Sequence, residues 1–258
     1  NPQHQSPLFN KLPGELRNEI FKWMLVPYDD PDPEKHYSED SYWYRPGFEA
    51  SKKVECALLQ TCKLIYCESR RAVMREAEHP FWFGASRGPP GRAGTADCIR
   101  FFTRGLSNEN VEDLTSVHFF TQMYWIEDGS NLAKIFRLRN FRPKRLTITF
   151  RYSDWWYWES NEDLRMSEEW LARFDGPPGL KELCVEYETL AWKKSQLDAI
   201  VARNKDWKLA VQDGNHLSAA DTKLEEWKWN GPSKLAGQTW GHHGDSDTVE
   251  YVVVVDRW

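Results

Sequence analysis

Three stretches of this chain alternate residue by residue between apolar and polar side chains, and that period of two limits what it can fold into. In Arg145–Tyr152, the residues Leu146, Ile148 and Phe150 oppose Arg145, Thr147, Thr149 and Arg151. In Glu182–Glu188, the residues Leu183, Val185 and Tyr187 oppose Glu182, Cys184, Glu186 and Glu188; in Ser116–Gln122, Val117 and Phe119 oppose His118, Phe120 and Gln122. Such alternation marks β-strands whose two faces meet different surroundings. Helical patterns lie between them. One is near Ala96–Arg104 and another near Asn131–Arg139. A third, capped by Ser167-Glu168-Glu169, carries Trp170, Leu171 and Phe174 and stops at Pro177-Pro178-Gly179. A fourth carries Leu197, Ile200 and Val201 behind Ser195-x-x-Asp198, which reads as a capping box.

Further strands are expected at Phe81-Trp82-Phe83, at Trp207–Val211 and in the β-branched run Val249–Val255, while Gly214–Gly244 stays unassigned. Strand–helix alternation implies an α/β fold with parallel strands joined by right-handed crossovers. A parallel sheet buried on both faces would read as continuous apolar runs. The alternation instead predicts helices on one face and an open polar face on the other. That is the cross-section of a short leucine-rich-repeat-like solenoid, with strand spacing too irregular for a regular array.

The N-terminal third reads differently. In Leu8–Leu25, the residues Leu12, Leu16, Ile20 and Trp23/Met24 recur at helical spacing and form one apolar stripe. Pro13 suits the first helical position, and Glu15 meets the positive end of the dipole. Leu12 is a poor N-cap, so packing must hold the helix start. A helix this short is marginal alone and must dock on something. Pro27–Lys53 carries Asp29-Asp30-Pro31-Asp32-Pro33 and Tyr42-Trp43-Tyr44-Arg45-Pro46-Gly47, an acidic loop with an aromatic tip, expected as a solvated insertion. Val54–Ala77 returns to helix through Leu58, Cys62, Ile65, Ala72 and Val73, and Pro80 stops it. Gly84–Gly94 is a loop without the Lys-Ser/Thr ending of a phosphate loop. The division expected is a helical module over 1–80, with the insertion at 27–53, and an α/β domain over 81–258.

A net charge of −5 over 258 residues argues against a dedicated binder of nucleic acid or anionic membrane. Fourteen Trp are more than one core easily hides, so some are expected at a partner-binding surface. Five cysteines without a disulfide-framework spacing read as reduced thiols of an intracellular protein, cytoplasmic or nuclear. Cys56, Cys62 and Cys67 are not placed to share a metal. No signal peptide or membrane-length apolar run is visible. The chain opens on Asn1 rather than Met, which leaves room for an upstream segment.

Leu12-Pro13-x-Glu15-Leu16-Arg17-x-x-Ile20 resembles the opening of an F-box, and Leu58-Leu59-x-Thr61-Cys62-Lys63-x-Ile65-Tyr66-x-Glu68 resembles its later helix. Together they are similar to the F-box-like proteins of filamentous fungi, whose chains continue into a poorly characterised α/β region. The resemblance covers about the first third of the chain. It implies docking on the Skp-type adaptor of a cullin–RING ubiquitin ligase, with a protein substrate held downstream. By position, Leu12, Pro13, Leu16 and Ile20 would form the adaptor-facing helix. The insertion after Pro27 departs from a compact F-box.

No stretch announces a reaction, a metal or a cofactor. His242-His243-Gly244-Asp245-Ser246-Asp247 lacks a third ligand at helical spacing and reads as a turn. Glu182, Glu186 and Glu188 share a strand face with neighbours about 7 Å apart, near a glycosidase separation, but Glu168-Glu169 and these carboxylates read rather as ordinary exposed side chains of the structure. Cys184 has only His118 as a conceivable base, from another strand. The run Tyr152-Ser153-Asp154-Trp155-Trp156-Tyr157-Trp158-Glu159 follows a central strand, where ligands of α/β sheets bind. It is either an aromatic lid on its own domain or a partner-binding loop. The expectation is a non-enzymatic interaction protein whose substrate surface comprises Thr149, Arg151, Trp155, Trp156, Trp158 and Glu186. The alternatives are a small-ligand or carbohydrate-binding protein, an undetected hydrolase, and a structural subunit of an assembly.

Overall fold

A computed structural model describes Gln3 and residues 5–84, 87–239 and 246–258. Six strands form the main sheet: β1 (Glu78–Phe83), β2 (Ser116–Thr121), β3 (Arg145–Phe150), β4 (Glu182–Leu190), β5 (Glu225–Pro232) and β6 (Thr248–Arg257). Their spatial order is β5-β6-β4-β3-β2-β1. The first four run parallel, each beside the next in the chain. The last two are antiparallel, β6 to β4 and β5 to β6, so the sheet is mixed rather than wholly parallel. The cause is the connection from β5 to β6. Its described part is a hairpin, Lys234–Leu235 against Gln238–Thr239, with no helix to carry a crossover.

The strand residues assigned to the apolar face do share one core. Val117, Phe119, Leu146, Ile148, Phe150, Leu183, Val185 and Tyr187 join Val252 and Val254 of β6. Across from them lie Cys98 of helix α4 (Thr95–Arg100), Leu132, Ile135 and Phe136 of α5 (Ser130–Phe136), and Leu197 and Val201 of α6 (Lys194–Asn204). Trp170 and Leu171 close the layer. Each such side chain, fully buried, stabilises the fold by roughly 1.5–3 kcal/mol. The strand expected at Trp207–Val211 exists as Lys208–Val211 but sits in a separate three-stranded sheet with Asp175–Gly176 and His216–Ser218.

The opposite, polar face is not open. Residues 28–53 form a strap across it, closed at its base by Tyr28–Asp29 pairing with Lys52–Lys53 and by a bridge between His36 and Ala50. Phe48 meets His118 and Phe120 edge-on at 5.4 and 4.8 Å. The buried Arg45 pairs with Glu186 at 3.0 Å and lies over Trp227 at 5.3 Å. Tyr42 packs on Trp158, with Arg87 stacked over it at 3.9 Å. The expected solvated insertion is therefore a cover. Its aromatic tip removes apolar rings from water, and Arg45 supplies the cation that a sheet-bound carboxylate needs.

Two local readings also change. Val54–Ala77 is not one helix but a 3-10 turn, Ala57–Gln60, then α2 (Lys63–Ser69) and α3 (Ala72–Glu76), preceded by α1 (Gly14–Leu25). Cys62 makes the break: it is extended (φ −159°, ψ 159°) and its Sγ accepts the Ile65 N–H as an N-cap would. The second helix has already ended when Pro80 is reached. Pro80 lies within β1, where an edge strand tolerates the missing N–H. Ser195 falls inside α6 rather than at its cap; Lys194 pairs with Asp198 instead, at 2.8 Å. All five cysteines are free. Among the described residues no helix is long and apolar enough to cross a membrane, and no group of His, Cys, Asp or Glu is placed to hold a metal.

Candidate functional site

Helix α1 has two apolar sides. Phe21 and Leu25 are buried and anchor it against α2 and α3. Arg17 adds a two-pronged bond to Glu68, Nε to Oε2 and Nη2 to Oε1, both 2.9 Å, while Nη1 donates to the Leu12 carbonyl at 2.8 Å. Such a fork fixes orientation as well as distance. Held this way, α1 turns its other side outward. Leu16 is 52% and Trp23 77% accessible, with Ile20, Met24, Val26 and Tyr28 exposed beside them. Leu12 is half-buried, and the exposed Pro13 sits at the N-cap position, one residue before its expected place. The stripe in the sequence is thus real, but it faces solvent; contiguous exposed apolar surface of this kind marks interaction sites. Sequence reasoning missed Val26 and Tyr28, which extend the stripe beyond the helical period.

The residues expected on a substrate surface do not make one. Thr149, Arg151, Trp155 and Trp158 are buried, and only Trp156 and Glu186 are partly exposed. Arg151 forks onto Asp154 (Nε 2.9 Å, Nη2 3.1 Å) and donates Nη1 to the carbonyls of Arg87 and Tyr42. Trp155 donates Nε1 to the Glu188 carbonyl at 2.9 Å, and Trp156 donates to Glu127 at 3.1 Å. Of the two readings of the aromatic run, the lid is the observed one.

Under the strap, a chain of polar contacts crosses four strands. His118 Nδ1 lies 3.0 Å from Glu78 Oε2, His118 Nε2 lies 2.7 Å from Thr149 Oγ1, and Thr149 donates to Glu186 Oε2 at 2.7 Å. Arg45 holds the same Glu186 oxygen. Burial alone would raise the Glu186 carboxyl. Arg45, His118 and the Thr149 hydroxyl outweigh it and hold the group below the usual range. Glu188, next along the same face, goes the other way, because burial pushes it up more than Arg45 and the Tyr152 N–H bring it down.

Carboxylates driven apart in this way, or a Glu-His-Thr series, are parts of hydrolytic sites elsewhere. Here Thr149 is fully buried, and the space beside Glu188 measures about 10 Å³. That is at most one water, not a substrate. Cys184 is no nucleophile for His118 either. They belong to strands two apart, roughly 9–10 Å by strand spacing, and burial, with Glu186 adding to it, pushes the thiol up to about 12. The arrangement is a buried brace between sheet and strap. Its partners Arg45 and Phe48 carried no signal in the sequence beyond the aromatic run around them. Of the segment His242–Asp247, residues 242–245 lie outside the described residues. Comparison of the chain with protein-family models, with curated proteins and with solved structures finds no match.

Proposed function

We propose that this chain is a non-enzymatic protein-interaction module that docks a partner through α1, in the manner of an F-box on a Skp-type adaptor. The observation that carries this is the outward face Leu16–Ile20–Trp23–Met24 on a helix held from behind by Phe21, Leu25 and the Arg17–Glu68 fork. Arg17 and Glu68 belong to the two stretches that resemble F-box segments, so the contact unites them although the strap separates them in the chain. The strap runs over the sheet. The run of four parallel strands in chain order, with the helix-side core behind it, supports a leucine-rich-repeat-like reading of the second part. Free thiols fit an intracellular setting, in which a ubiquitin-ligase substrate receptor would work.

Co-purification with a Skp-type adaptor tests the reading. The wild-type chain is expected to form a stable complex, and the double variant Leu16→Glu/Ile20→Glu to lose it with its own thermal midpoint unchanged. Absence of a complex with the wild-type chain removes the ligase role. Light scattering of the chain alone provides the contrast: a dimer dissociated by Trp23→Glu assigns the same face to a second copy instead.

A further inference from the structure

A large cleft lies away from α1's outer face and from the strap. It opens where the parallel strands begin, with Thr115, Lys144 and Gly179 each just ahead of a strand, and measures about 810 Å³. Arg71 and Arg75 line one side; Arg139, Arg142 and Lys144 also line it. Five cations thus meet the carboxylates of Glu112 and Asp113, on a chain whose overall charge is −5.

The two carboxylates do not neutralise the cleft. Asp113 is buried and accepts from Nε of Arg71 on one oxygen and from Nε of Arg75, at 2.8 Å, on the other. Its carboxyl is held below the usual range: burial would raise it, and the two guanidiniums outweigh that. Each arginine is engaged through Nε alone, so both are oriented while their terminal amino groups stay available. Arg139, Arg142 and Lys144 are exposed, and their side chains make no hydrogen bond or ion pair with the described residues. Two pre-aimed forks and three uncommitted cations converge on one space.

We infer that this cleft binds a phosphomonoester dianion, gripped between the Asp113-oriented pair Arg71/Arg75 and the free cations Arg139, Arg142 and Lys144. Planar guanidinium forks match phosphate oxygens two at a time, and a dianion with three terminal oxygens can engage more than one cation at once. The cleft volume falls in the range of small-ligand sites. Among the described residues no aromatic side chain lines it, so none offers the stacking platform of a single-stranded nucleic-acid groove. The phosphate can belong to a small ester or to a phosphorylated side chain. The inference is independent of adaptor docking.

Titration calorimetry at constant ionic strength, set with sodium chloride, tests it with three probes: glycerol 2-phosphate, a phosphoserine peptide and the unphosphorylated peptide. Saturable binding of one or both phosphate probes is expected, with none for the unphosphorylated peptide. The triple variant Arg139→Ala/Arg142→Ala/Lys144→Ala, altered only at exposed side chains, is expected to weaken binding at least tenfold. The single variant Arg142→Gln provides a milder check, with a loss of threefold or more. A phosphopeptide bound at least tenfold tighter than the ester assigns the phosphate to a protein side chain, and equal affinities assign it to a small ester. No saturable binding of either phosphate probe, or undiminished binding by the triple variant, overturns the site.

Discussion

Asp256 shows how one side chain sets a pH profile. It is fully buried on β6, with Oδ1 accepting the Arg257 N–H at 3.0 Å and Oδ2 unpartnered. Burial pushes its carboxyl up to about 6, against the smaller pull of that N–H and of Lys205. An acid raised above its unfolded value, near 3.9, keeps more protons in the folded state between the two values. Its contribution to stability is therefore whole below about pH 4 and is lost as pH rises through the folded value. Asp256→Asn is expected to stabilise the protein at pH 7 by on the order of 3 kcal/mol, and the gain should vanish by about pH 4. Urea unfolding at the two pH values measures this, and a gain independent of pH sinks it. Glu186 has the opposite sign. Held below the usual range, it contributes stability above its unfolded value, lost as pH falls through the folded one. Arg45→Met would leave that carboxylate facing Thr149 and His118 without its cation, at a cost of about 3–5 kcal/mol. Adding Glu186→Gln to Arg45→Met is expected to recover most of this, and a double-mutant cycle reads the coupling.

Among elements, the strap joins the N-terminal helices to the sheet. Phe48→Ala removes the ring that seals His118 and Phe120. A loss of about 2–4 kcal/mol is expected, less than for a wholly buried Phe, since Phe48 is half-buried. Cleavage by trypsin at Lys52 and Lys53 should appear at temperatures where the wild-type chain resists; equal resistance would mean that the strap is held without Phe48. The strap was illegible in the sequence for a physical reason. Its acidic, Pro-rich entry obeys loop chemistry, and its burial depends on Glu186, Trp227 and Trp158, far away in the chain. The strands were legible because their faces differ: Leu146-Thr147-Ile148-Thr149 places methyl and aliphatic groups on one side and hydroxyls on the other. That alternation finds a polar face but cannot say whether water or protein covers it, and here the strap covers it and Glu78, His118, Thr149 and Glu186 join in one chain of contacts. Helix α1 carries a related ambiguity. Both Leu16/Ile20/Trp23/Met24 and Phe21/Leu25 recur at helical spacing, and the larger set is the one left outside.

At the scale of the molecule, chain order and spatial order part company at the C-terminus. The last strand, β6, is inserted between β4 and β5 and is central to the sheet. It pairs with β4 from Tyr251↔Leu190 to Arg257↔Cys184, and with β5 along its other edge. Val252 and Val254 complete the helix-side core; Tyr251, Val253 and Val255 pack on the covered face. The sheet therefore cannot close until the final residues are available, and its closing contacts are non-local, a topology that folds slowly. Truncation before Thr248 would remove seven buried apolar side chains, Val249, Tyr251, Val252, Val253, Val254, Val255 and Trp258, each worth roughly 1.5–3 kcal/mol, and would leave β4 with an unpaired edge. That loss matches or exceeds the 5–15 kcal/mol by which a domain of ordinary stability holds together. The truncated chain is expected to bind a hydrophobic dye, to aggregate and to show no cooperative thermal transition. Trp23→Ala, by contrast, removes a larger side chain from the outside of α1 and should leave the transition where it was. A truncated chain that still melts cooperatively would mean that β1 to β4 and their helices form a self-sufficient unit, with β5 and β6 added to a finished edge.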